Sequence, residues 1–263
     1  MIKFCSLYSG SSGNSLFIGV GKTKILIDAG LSGIKITKAL SLIDESPEEL
    51  CAILITHDHV DHVKGAGILS RRYNIPIYAN EGTWEVMKNL IGPVVLENIK
   101  VFNTGTVLDI GSLTVKSFPI PHDAAEPVGF NFFAENKKIT VATDIGHINR
   151  GLLSNFEKSD MILLESNHDI EMLKTGPYPW PLKQRIMGDF GHLCNDMAGK
   201  VVAYLAEYGT KLFLLGHLSK ENNFPELAYQ TVCNALMQKK INPGKDIYLE
   251  VAHRDKASKV LYI

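Results

Sequence analysis

Thr56-His57-Asp58-His59-Val60-Asp61-His62 follows directly on Cys51-Ala52-Ile53-Leu54-Ile55, a short apolar run of the kind that forms a strand buried on both faces. Four ligand-type side chains, His57, His59, Asp61 and His62, therefore leave one rigidly held strand end together. Imidazole nitrogen and carboxylate oxygen suit zinc and related divalent ions. His57 and His59 are two apart on an extended segment and point the same way, whereas Asp61 and His62 run into the next helix and turn toward a neighbouring point. The spacing supplies one His pair and one Asp/His pair, enough to begin two adjacent metal sites. With 9 histidines in 263 residues, such a cluster is not the composition of a chance surface loop.

The missing ligands must come from elsewhere in the chain. Candidates are His122 in Pro119-Ile120-Pro121-His122-Asp123, Asp144 after the run ending at Ala142, and His217 after the run ending at Leu215. Each alone reads more readily as an ordinary core or surface residue. Together they supply the number that a two-metal site lacks, and a carboxylate such as Asp144 has two oxygens with which to bridge.

Outward from this motif, alternating or wholly apolar runs predict strands at 2–7, 15–20, 24–28, 51–55, 100–102, 106–110, 113–118, 129–134, 138–142, 161–164, 211–215, 246–250 and 259–262. Helices are predicted near 34–42, 64–73, 81–90, 195–207 and 225–239. Gly21-Lys22 makes a hairpin of the second and third strands. Strands mixed with helices on this scale suit an α/β (α+β) fold of sheets packed face to face with helices outside. No repeat or linker interrupts the chain, so 1–263 is expected to be a single domain. Several buried runs end in a polar residue, Asp28 among them, and function is expected at such ends.

Hydrophobic residues make up 45% of the chain, charged residues 21%, and net charge is -1. This excludes a protein coated in positive charge for indiscriminate nucleic-acid binding, though a local basic groove stays open. Cys5, Cys51, Cys194 and Cys233 form no C-x-x-C pair, so a disulfide framework is not expected. Met1-Ile2-Lys3-Phe4 enters a strand directly, without a signal-peptide pattern. No apolar run approaches the ~20 residues that span a bilayer. A cytoplasmic protein without a membrane partner is expected.

H-x-H-x-D-H at 57–62, then a distant His, an Asp after a strand and a late His, resembles the metallo-β-lactamase superfamily. The resemblance implies a four-layer αβ/βα sandwich, two facing β-sheets flanked by helices. It implies one ion held by His57, His59 and His122, a second by Asp61, His62 and His217, Asp144 bridging them, and Asp28 as a structural aspartate beside the site. An Asp rather than a Cys at the bridging position argues against true β-lactamases. Two such cations, zinc, manganese or iron by donor type, bring a bridging water's pKa near neutrality and polarise the scissile ester. Asp61 is placed to orient or deprotonate that water.

Four local features bear on the substrate. Ser9-Gly10-Ser11-Ser12-Gly13-Asn14-Ser15 is a small polar loop in which Ser11, Ser12 and Asn14 are candidates to hold an anion, or else a plain hairpin turn. Glu165-Ser166-Asn167-His168-Asp169 follows a buried run and offers Asn167 for binding and His168 for proton transfer. The stretch 183–195 carries Arg185, His192 and a helix start that Asn195 is expected to cap. Gly216-His217-Leu218-Ser219 places the Ser219 hydroxyl beside the last ligand. His147 and His253 read as structural, and Tyr178-Pro179-Trp180-Pro181 as a packing turn or a stacking lip. Jointly these motifs resemble the YycJ (WalJ) subfamily, with Cys194 where Ser is expected after Gly-His-Leu. The subfamily implies a phosphodiesterase on nucleic acid, a 5′-to-3′ DNA exonuclease foremost. Two other readings stay open: a hydrolase of small cyclic or nucleotide phosphodiesters, and a non-catalytic metal-binding regulatory protein.

Overall fold

The computed structural model describes all 263 residues, which divide into two compact units. The first comprises 1–119, 124–136 and 253–263; the second comprises 120–123 and 137–252.

In the first unit, β1 (Ile2–Tyr8), β2 (Ser15–Val20) and β3 (Thr23–Ile27) form an antiparallel meander. Gly21, at φ 56, makes the predicted hairpin turn. β4 (Ala52–Leu54), β5 (Ile77–Asn80) and β6 (Ile99–Phe102) then add in parallel on the far side of β3. Leu261–Tyr262 closes the other edge against β1. Helices α1 (Gly33–Ser41), α2 (Val60–Val63), α3 (Ala66–Tyr73) and α4 (Glu81–Ile91) connect these strands. The core packs Phe17, Leu26 and Ile53 against Ile36, Leu69, Trp84 and Met87. Each such side chain contributes about 1.5–3 kcal/mol by leaving water, which holds the strand ends still. An antiparallel run outside that first sheet, β7 (Val107–Ile110), β8 (Leu113–Pro119) and β9 (Val128–Ala134), completes this unit.

The second unit is built on four parallel strands, β10 (Lys137–Ala142), β11 (Met161–Glu165), β12 (Leu212–Gly216) and β13 (Tyr248–Val251). β11 is buried from end to end, as a central parallel strand must be. Its helices are α5 (Arg150–Phe156), α6 (Ile170–Thr175), α7 (Trp180–Met187), α8 (Asn195–Glu207) and α9 (Pro225–Gln238). In α8, Gly199 lies against Val232 and Ala235 of α9.

Several expectations need correction. The helix expected near 64–73 starts at Ala66, because the Gly65 amide donates to the Ala29 carbonyl instead of to a helical partner, which separates α3 from the short α2 before it. β5 and α5 to α7 were not predicted: each is short, and α7 begins at the aromatic-proline turn, with Pro181 in its first turn where a missing N–H costs nothing. Asn195 does not cap α8. Cys194 holds that place, and Asn195 is the first helical residue, its side chain bound instead to Ser166 and Asn223.

Candidate functional site

In the first unit the motif leaves β4 and meets Asp28, the residue that ends β3. Asp28 is buried at φ 61, the left-handed region that a non-glycine residue enters at a cost, and one that favours functional positions. Its Oδ1 accepts from the Thr56 amide at 2.9 Å; its Oδ2 accepts from the Thr56 hydroxyl at 2.9 Å and from His62 Nδ1 at 2.8 Å. With its proton given to Asp28, the Thr56 oxygen accepts from His57 Nδ1 at 3.0 Å. One carboxylate thus sets the tautomer of two imidazoles, with Nε2 of each the nitrogen that carries a lone pair. The His57 ring lies 4.7 Å from that of His59 and 4.0 Å from that of His62, so the three rings form one cluster.

The backbone beneath this cluster is clamped. The Asn14 amide donates to Asp61 O, the Gly30 amide to Asn14 O and the Ala29 amide to His62 O. A Cβ on Gly30 would meet the Asp61 carbonyl oxygen at 1.6 Å, so only glycine permits this approach. Asn14 is itself buried. Its Oδ1 accepts from the Gly10 amide, and its Nδ2 stands 3.0 Å from His62 Nε2 and 3.5 Å from Asp61 Oδ2. It positions the motif, while Ser11 and Ser12 are exposed at the loop tip.

In the second unit Asp144 and His217 follow the ends of β10 and β12, both buried and both left-handed, at φ 60 and φ 55. Between them β11 ends in Glu165, which is wholly buried. Glu165 Oε1 accepts from His192 Nδ1 at 2.8 Å and His217 Nδ1 at 2.7 Å; Oε2 accepts from the amides of Ile145 at 2.7 Å and Leu193 at 3.0 Å. All four lone-pair sites of the carboxylate are used, the condition under which a buried charge is tolerated. Burial opposes the charge on Glu165, but the His192 charge and the bonds from His192 and His217 outweigh it and hold the carboxyl far below the usual range. For His192 burial likewise favours the neutral ring, yet the charge and hydrogen bond of Glu165 prevail and its pKa is raised.

Ligand atoms of Asp144, Glu165, His192 and His217 all lie within 4.8 Å of one another. His122 Nε2 is 3.7 Å from Asp144 Oδ1, and its Nδ1 donates to the Gly191 carbonyl at 3.0 Å. Burial pushes the His122 pKa down, against the pull of Asp144, and so favours the neutral form that binds metal.

The other candidates take varied places. Asn167 is buried and donates to the His217 carbonyl at 2.9 Å, so it shapes the turn that carries a ligand. Ser219 is buried and accepts from the Asn222 amide at 3.2 Å. Arg185 is exposed and paired with Asp123. His168 is buried, forms no side-chain hydrogen bond with the Glu165 cluster, and is pushed down to about 4 by burial. Sequence reasoning assigned no role to Glu165, although a charge closing the apolar run Met161–Leu164 was a usable signal. It also passed over Thr56 and the Gly191 carbonyl.

Known proteins are similar to this chain. The model of the family described as "Beta-lactamase superfamily domain" matches residues 23–218. The chain belongs to the β-lactamase superfamily. Within that superfamily it is 43% identical over 246 residues to exodeoxyribonuclease WalJ of Streptococcus pneumoniae, covering 93% of this chain and 91% of the relative. It is 40% identical over 263 residues to exodeoxyribonuclease YycJ of Bacillus anthracis, covering 100% and 99%. Among solved structures, the metallo-β-lactamase fold protein YhfI of Bacillus subtilis superposes with a TM-score of 0.72 at 15% identity, covering 98% of each chain. The chain has that fold, two mixed sheets flanked by helices, and is a metal-dependent hydrolase of the superfamily. Its donors fit a divalent ion: His57, His62, His122 and His217 each have Nδ1 engaged by the protein, the arrangement by which metal-ligating histidines are oriented. No helix is long and apolar enough to cross a membrane.

Proposed function

We propose that this protein is a DNA exonuclease, digesting from a 5′ end, whose donors hold two divalent ions, zinc or manganese. The observation that carries the reading is the pair of buried carboxylates, Asp28 and Glu165, that set imidazoles at strand ends with Nε2 left for metal. Full-length similarity to relatives named exodeoxyribonucleases supports the substrate. Following the superfamily pattern, His57, His59 and His122 would hold one ion, Asp61, His62 and His217 the other, and Asp144 would serve both.

When bound, the ions supply a hydroxide nucleophile at neutral pH and offset the charge that develops on the phosphate. Asp61, with its side chain partly exposed, accepts the proton of the attacking water. His192 is the general acid. Its Nδ1 is committed to Glu165, so the proton it gives to the leaving oxygen comes from Nε2, and the Glu165 carboxylate beside it favours the protonated ring. After transfer the neutral ring keeps the Glu165 bond and therefore its orientation. His168 has no place in this relay.

Purified protein with Mn²⁺ or Zn²⁺ is assayed on 5′-phosphorylated single-stranded DNA, on RNA and on a chromogenic phosphodiester. Stepwise release of nucleotides from one DNA end, abolished by chelation and by His59→Ala, is expected. Turnover of the small ester alone would replace this reading with that of a small-phosphodiester hydrolase.

A further inference from the structure

The second unit contains a cavity of about 290 Å³ that shares with the proton relay only His192, on its wall. Its walls are mainly Ile148, Ile170, Met187, Leu193 and Met197, with His147, His168 and His192 as the polar members. Its size lies at the lower end of ligand pockets, about 300 Å³, enough for one planar ring system. His192 joins it to the chemistry, because its ring lies 5.1 Å from that of His122 and 5.3 Å from that of His217.

Three features point to an aromatic heterocycle as the occupant. Met187 and Met197 each remain 37% exposed while lining the cavity, and thioether side chains pack adaptably against ring faces. His168 is buried to 2% exposure, and its Nδ1 is enclosed without a hydrogen-bond partner. A buried polar atom of that kind calls for a ligand or water to complete it. The low pKa keeps its ring neutral, so it carries one donor and one acceptor. His147 gives its Nδ1 proton to the Asp189 carbonyl at 2.8 Å, which makes its Nε2 an acceptor, and Gly146 packs tightly on Asp189 and fixes that loop.

Resting on the phosphodiesterase reading above, we propose that this cavity receives the nucleobase of the nucleotide whose phosphate is held at the metal donors. The methionines and aliphatic residues cover the ring face, and His168 and His147 meet its polar edge. No wall presents the rigid bidentate pair of groups by which one base is told from another. The pocket therefore grips every base and selects none, as a processive digestion of mixed sequence requires.

The test is binding, independent of turnover. Affinities of the metal-loaded protein are measured by calorimetry for the four 2′-deoxynucleoside 5′-monophosphates and for 2-deoxyribose 5-phosphate. The nucleotides are expected to bind on the order of tenfold more tightly than the base-less sugar, with less than threefold spread among them. Met187→Ala/Met197→Ala removes most of that advantage and leaves the sugar phosphate unchanged, which also shows that the variant is folded. His168→Phe weakens all four nucleotides alike. Equal affinity for nucleotide and sugar phosphate in the wild type, or a double variant that keeps the base advantage, would overturn the assignment. Failure of the nuclease reading looks different: nucleotides bind through their bases while DNA stays intact.

Discussion

In the first unit Asp28 accepts from one imidazole, one threonine hydroxyl and one amide; in the second Glu165 accepts from two imidazoles and two amides. Both stand at the end of a buried strand, and both commit Nδ1 of a histidine so that Nε2 is the atom left for a ligand. They differ in how much depends on them. Thr56 shares the load around Asp28 by accepting from His57, whereas around Glu165 only Asp144, 3.3 Å from His217 Nδ1 and 3.7 Å from His192 Nδ1, stands near, too far for a full hydrogen bond to His192. A carboxylate placed between two histidines sets a ligand and an acid at once, so its loss should be felt twice.

Substitutions can break this comparison. Glu165→Gln keeps the shape but replaces the charge, and one of its oxygens becomes a donor facing imidazole or amide N–H groups. Activity on DNA should fall about 100-fold, with weaker metal retention on gel filtration. Asp28→Asn should cost about tenfold, because the Thr56 hydroxyl still orients His57. Equal losses from the two would show that the carboxylates carry equal weight.

Tight backbone approaches sharpen the contrast further. Gly30→Ala drives a Cβ to 1.6 Å from the Asp61 carbonyl oxygen, and Gly146→Ala one to 2.1 Å from the Asp189 carbonyl oxygen. Each should lower stability by about 1–3 kcal/mol in urea denaturation, Gly30→Ala more, and only Gly30→Ala should also loosen metal binding. The smallest effect is expected from thiol labelling. Cys51 is exposed and should react with maleimide at neutral pH, with less than about twofold loss of activity. Cys5, buried and pushed up to about 12, should remain unlabelled in the native protein. Rapid labelling of Cys5 would show that the first unit opens.

The two units were also unequally legible from sequence. His57 to His62 announced themselves because the donors are neighbours in the chain, and Asp28 because it closes an apolar strand that the superfamily pattern marks. The strand ends at Asp144 and His217 could be read in the same way. Glu165 gave the same strand-end signal but not its role, since its four donors come from Ile145, His192, Leu193 and His217, none of them near in sequence. Asn195 misled for the opposite reason. Local propensity makes asparagine a cap, but the side chain of Ser166 and that of Asn223 offered more hydrogen bonds than the helix terminus did. The helices α5 to α7 escaped notice because six to eight residues, barely two turns, carry too little periodicity to register.

The central claim is that the protein fixes Nδ1 of its histidines before any metal arrives. Long-range ¹H–¹⁵N correlation spectra of ¹⁵N-histidine protein, recorded while Zn²⁺ is added to the apoprotein, report both ring nitrogens of each residue. The account predicts that His62, His122 and His217 are already Nδ1-protonated in the apoprotein and that only their Nε2 resonances move to metal-bound values. Zinc binding through Nδ1, or a tautomer that changes on addition of the ion, would contradict it.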